Sequence, residues 1–187
     1  MKSRFIIMHL APQQDDWAKW AIGAGIHPVC IAFSNFKPQF ITDITISPDI
    51  ENTHCPRTLT NMFRIWMTQD YPKSVEYAYL GGAAGSLAAS EFLAFVRIWQ
   101  HLPNVEQILK DPTGFQAPTK PDILFALSGA LAAKATKKNA ANFFSVVSKL
   151  GRDFSVLAVR DALRRDSGLM EVDQFTEWVV AHQDVVL

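Results

Sequence analysis

Residues 86–101 read SLAASEFLAFVRIWQH, and this stretch decides the fold class. Phe92, Leu93, Phe95, Val96 and Trp99 recur at three- and four-residue spacing, the period of one helix face. Ser86 is a residue type that caps helices, and Pro103 follows where a helix cannot continue. The same period extends to both sides. Upstream, helices are predicted over 13–24, which carries Trp17, Trp20 and Ala21, and over 28–36, which opens on Pro28. A further helix over 57–68 carries Leu59, Met62, Phe63, Ile65 and Trp66, and a shorter one over 74–84 runs through Gly81-Gly82. Downstream, a short turn over 104–109 precedes helices over 122–135, 138–150, 154–165 and 172–182, punctuated by Gly151 and Gly168.

Two segments break the pattern. Residues 37–55 read as the longest irregular loop, and length alone makes it a candidate for function or an interface. Residues 110–121 hold three prolines and a glycine and read as a linker. The strongest strand candidate is the apolar run 5–10. A lone strand cannot satisfy its own backbone, so it must pair with another segment, another chain or its own copy in a homo-oligomer. The expected class is therefore mainly α with one short N-terminal strand. Three segments follow, 1–55, 56–111 and 112–187, the last a small antiparallel bundle; together they can also form one compact unit.

Apolar residues make up 49% of the 187, including 13 Phe and 5 Trp, enough to bury a core and to argue against disorder. The 18 basic and 18 acidic residues cancel, which removes the electrostatic case for nucleic acid or an anionic membrane. No stretch reaches the roughly 18 apolar residues of a membrane span, and the N-terminus lacks a signal-peptide pattern. Cys30 and Cys55 form no close-spaced motif and read as small apolar residues in a reduced, cytoplasmic setting.

The chemistry-bearing patterns mostly resolve into structure. A phosphate-binding loop needs a lysine after its glycines, and no glycine here precedes one. Gly81-Gly82-Ala83-Ala84-Gly85-Ser86 therefore reads as close helix packing. His9, His27, His54, His101 and His182 are scattered, and His54-Cys55 lacks the further ligands of a metal site. In RDALRR, Arg160, Asp161, Arg164 and Arg165 read as i, i+4 pairing on a solvated face. Phe143 and Phe144 read as core. Arg57 is less ordinary, because a cation in the first turn of a helix opposes the macrodipole and needs some other partner.

The order of several segments resembles that of bacterial and phage AAA+ ATPases of the MoxR-like group, in the part that follows the Walker motifs. The matching pieces are Ser3-Arg4-Phe5 through His9-Leu10, Asp15-Asp16-Trp17, Ile26-His27-Pro28, Pro56-Arg57-Thr58, and Glu91 to Arg97. PDILFALSGALAAKAT and VRDALRRD are similar to that family's C-terminal helices. The resemblance implies an edge of the ATPase core over 1–55, a helical lid over 56–111 and a C-terminal bundle over 112–187. It gives Arg4 the place of an arginine finger and Arg57 that of a sensor-2 arginine, both acting on nucleotide phosphates. The Walker A lysine and Walker B acids are absent from this sequence. The chain is thus expected to be no enzyme alone, and to meet ATP and Mg²⁺ only when an ATPase core or partner subunit completes the site. The alternative is an independent helical adaptor, suggested by the opening methionine and the missing nucleotide site.

Overall fold

The computed structural model describes residue 6, residues 11–44 and residues 51–183. The predicted strand over 5–10 lies outside the described residues except for Ile6, and so does Arg4. Among the described residues the regular structure is helical: α1 (Gln14–Gly23), α2 (Pro28–Phe36), α3 (Gln39–Thr42), α4 (Pro56–Thr68), α5 (Glu76–Ala84), α6 (Ser86–Gln100), α7 (Val105–Lys110), α8 (Pro121–Lys134), α9 (Ala140–Val147), α10 (Arg152–Arg165) and α11 (Asp173–Ala181). α2, α4 and α8 each open on proline, whose missing N–H is no loss in a first turn.

Two local departures from the sequence reading have clear causes. The described part of the stretch 37–55 contains a one-turn helix, α3, because Phe40 and Ile41 are buried and Phe40 stacks on Phe33 with ring centroids 5.6 Å apart. Ser86 does not cap α6; it is the first helical residue, and Gly85 precedes it at φ 92°. A Cβ on Gly85 would lie 2.8 Å from the carbonyl oxygen of Asn52. Gly85 is therefore required twice, by its backbone angle and by the close passage of residues 52–53. Asn52 Nδ2 also donates to the Gly82 carbonyl oxygen at 2.6 Å, pinning that segment across the α5–α6 corner.

The apolar side chains gather in two cores. The first is lined by α1–α6 and rich in rings, with Phe33 packed among Phe63, Phe92 and Phe95 at centroid distances of 5.4–6.2 Å. The second joins α7–α11 around Leu127, Leu131, Phe143, Phe144, Val159 and Trp178. α8 belongs to both, because Ala126 faces the first core while Leu124, Leu127 and Leu131 face the second. It meets α2 where both helices are small: a Cβ on Gly129 would sit 2.6 Å from the Ala32 Cβ. Phe36, Phe125 and Phe154 bridge the same region, ring on ring, at 5.3 and 5.1 Å.

Candidate functional site

Arg57, the described one of the two predicted site arginines, occupies the first turn of α4. The turn is held by a capping box in which cysteine replaces the usual serine. Cys55 Sγ accepts from the Thr58 N–H at 3.5 Å, while Thr58 Oγ1 accepts from the Cys55 N–H at 2.9 Å and donates to the Thr53 carbonyl at 2.7 Å. Arg57 is exposed and forms no ion pair with any described acidic residue. Its guanidinium is therefore open to an anionic group, and planar, bidentate donors suit carboxylate or phosphate oxygens.

Cys55 is half-buried, in contrast to its reading as a buried apolar residue; Cys30 is fully buried. Burial pushes the Cys30 thiol well above its ordinary range. Burial raises Cys55 too, but hydrogen bonds from Thr58 and the Arg57 backbone, with the Arg57 charge, outweigh it and leave the thiol lowered. His54 packs edge-on to the Phe40 ring at 5.0 Å. Among the described residues no group of three or more His, Cys, Asp or Glu side chains is placed to hold a metal ion.

A second polar cluster lies where α1, α2 and α10 meet, and it corrects the reading of RDALRR as a solvated face. Asp161 is only 2% exposed. Its carboxylate accepts from Asn35 Nδ2 at 2.8 Å and from Arg164 Nη1 at 3.4 Å. Arg164 Nη2 reaches across to Asp15 at 2.5 Å, and Arg160 Nη1 lies 3.2 Å from the same carboxylate. The physical reason is helix phase: Ser155, Ala158, Val159 and Ala162 form the buried stripe of α10, and Asp161 falls on it. Burial raises the Asp161 carboxyl despite the charge of Arg160, the Asn35 hydrogen bond and the charges of Arg164 and Arg165. For Asp15 the balance reverses: burial raises it, but the Arg164 bond and the charges of Arg164 and Arg160 leave it lowered.

Shallow hollows surround the end of α6. One of about 280 Å³ is lined by His27, Trp99, Leu102, Ala130 and Lys134, and one of about 290 Å³ by His27, Trp66, Met67, Gln69 and Lys73. The His27 imidazole between them lies edge-on to Trp66 and Trp99 at 5.6 and 6.1 Å. Enclosure of the ring and then the Arg165 charge hold it below its ordinary range. Phe143 and Phe144, near the basic run 134–138, are buried. No described helix is long and apolar enough to cross a membrane.

The sequence singles out Arg57 but not the Asp15–Asn35–Asp161 set, whose members are far apart along the chain. Helical phase within 152–165 was the available signal for Asp161 alone. Comparison with family models, curated proteins and solved structures finds no match for the chain.

Proposed function

We propose that this chain is the lid and C-terminal helical module of a AAA+ ATPase of MoxR-like type, in which it couples the nucleotide state of an ATPase core to a partner or substrate protein. The observation that carries the reading is Arg57: an exposed guanidinium without an acidic partner among the described residues, held in the first turn of α4 by a closed capping box. A cation there is disfavoured by the macrodipole, and an anionic ligand from outside offsets that cost. The order of the resembling segments supports the same reading. In it Arg57 senses the γ-phosphate, Arg4 reaches the nucleotide of a neighbouring subunit, and the chain binds ATP and Mg²⁺ only together with the core, in the cytoplasm.

The test is ATP turnover by a P-loop ATPase core from the same genome, measured with and without this chain. The chain alone is expected to turn over no ATP, and the mixture to turn over faster than the core. Arg57→Ala and Arg4→Ala should each remove about tenfold or more of that stimulation. Turnover by the isolated chain, or stimulation indifferent to both substitutions, refutes the proposal.

A second reading, an independent helical adaptor, draws on a different observation. Tyr77, Tyr79 and Leu87 are exposed at 51–62% on α5 and the start of α6, with Tyr71 stacked on Tyr79 at 5.8 Å. Aromatic surface of this kind suits protein contacts. A partner whose binding survives Arg57→Ala and is lost on Tyr79→Ala favours this second reading.

A further inference from the structure

The two cores are joined in two physically different ways. The α2–α8 crossing is apolar and close, with Ala32 against Gly129 and the Phe36–Phe125–Phe154 rings beside it. The contact between α1–α2 and α10 is polar. There the hydrogen bonds form a closed circuit through three helices. Gln14 Nε2 donates to Asn35 Oδ1 at 2.6 Å and to Ser34 Oγ at 3.1 Å. Asn35 donates to Asp161, Arg164 donates to Asp161, and Arg164 donates on to Asp15, the neighbour of Gln14. Arg160 and Lys19 flank Asp15 at 3.2 and 3.3 Å.

From this arrangement we propose that the Gln14–Asn35–Asp161–Arg164–Asp15 circuit is a conformational latch between the two lobes. Closed, it fixes α10 against α1 and α2. Opened, it frees α10 from α1 and α2 while the two cores, the lobes, stay joined through the packing of α8 on α2 and α6.

The two contacts differ in what they lose when they move. Interdigitated large apolar side chains lose area and open voids on any rotation. The α2–α8 crossing is a contact of this kind, with Gly129 closed against Ala32 and the Phe36–Phe125–Phe154 rings beside it, so it holds when the polar contact opens. A directional network behaves oppositely: its strength depends on angle and distance, so loss of one member releases the others together. The circuit is also unevenly charged, with Arg160, Arg164 and Arg165 set around two carboxylates. Arg160 Nε and Arg165 Nε are buried without a hydrogen-bond partner. Arg160 Nε lies 3.7 Å from Asp161 Oδ1, so it faces the carboxylate at ion-pair rather than hydrogen-bond distance. Packed interfaces with two discrete arrangements are how small local changes become lobe motions. The latch stands whether or not the chain works with a nucleotide.

The experiment uses the full chain carrying Asp15→Asn. Asp15 is 40% exposed at its side chain and so can be changed without opening a cavity. Spin labels at Ser90→Cys on α6 and Thr176→Cys on α11, in a Cys55→Ser background, report the distance between the lobes. Amide exchange reports local opening. The latch predicts a broadened or lengthened Ser90–Thr176 distance. It also predicts about tenfold faster exchange in α1 and the second half of α10, a loss of about 1.4 kcal/mol of local stability, with α8 and α9 unchanged. An unchanged distance, or exchange that rises evenly through both lobes, overturns it and leaves the circuit a static cross-link. Arg164→Lys, which keeps the charge and loses the fork, is read by the same criteria if Asp15→Asn does not fold. Lys137→Gln breaks an exposed ion pair with Glu171 inside the second lobe and should alter neither readout.

Discussion

At the residue scale, the N-terminus of α4 places two side chains in unequal circumstances. Arg57 is exposed and unpaired among the described residues, and its charge helps lower the Cys55 thiol. Cys30, fully buried, is pushed the other way. A thiol reagent at neutral pH is therefore expected to modify one cysteine of the native chain, Cys55, and to reach Cys30 only on unfolding. Arg57→Ala should move the pH profile of Cys55 modification upward; an unmoved profile would mean that Thr58 and the backbone alone set the thiol. Gly129 makes a second residue-scale statement. An added methyl there meets the Ala32 Cβ at 2.6 Å, too close for either helix to ignore. Gly129→Ala should cost about 1–3 kcal/mol in denaturant unfolding, although alanine is the better helix former in isolation.

At the element scale, the α5–α6 corner and the docking of α11 depend on contacts that helix periodicity does not contain. The corner is set by Gly85, whose φ of 92° and approach to Asn52 exclude a side chain. Gly85→Ala is expected to destabilise the protein by about 1–3 kcal/mol and to loosen residues 51–54, which amide exchange would locate. α11 is short, and one buried tryptophan pins it. Trp178 Nε1 donates to Ser155 Oγ on α10 at 2.8 Å, and the His182 ring stacks on the indole at 4.4 Å. Ser155→Ala leaves that buried N–H without an acceptor, for a loss of about 1–3 kcal/mol. A fluorescence change of Trp178 that precedes the main transition would show α11 detaching first.

At the scale of the whole molecule, two carboxylates at the lobe junction give opposite pH dependences. Asp15 is lowered from its usual 3.8 in the folded chain, so its stabilisation is complete above that value and is lost as pH falls through the folded one. Asp161 is raised, so the folded state holds its proton longer than the unfolded chain does. Its contribution falls as pH rises from 3.8 toward the folded value and is level beyond it. The stability gap between the native chain and Asp15→Asn should accordingly be full near neutral pH and close in acid below about 3.8. A gap that persists in acid would mean that the carboxylate acts through packing rather than charge.

Helix type and extent were legible in the sequence because they depend on neighbours three and four residues apart, with proline and glycine marking the ends. For that reason α4, α6, α8 and α10 lie within a residue or two of their predicted spans. The place of Arg57 in the first turn of a helix was legible for a similar reason, since it is local to that turn. The turn at Phe40, the role of Gly85 and the Asp15–Asn35–Asp161–Arg164 network were decided only by tertiary structure. Asn35 and Asp161 stand 126 positions apart, and Asp15 and Arg164 stand 149 apart. No local period relates such residues; they meet because α2 and α8 cross closely enough to bring α10 onto α1. The residues by themselves specified which segments are helices, and packing decided that a charged run on one of them is a partly buried joint with Asp161 at its centre.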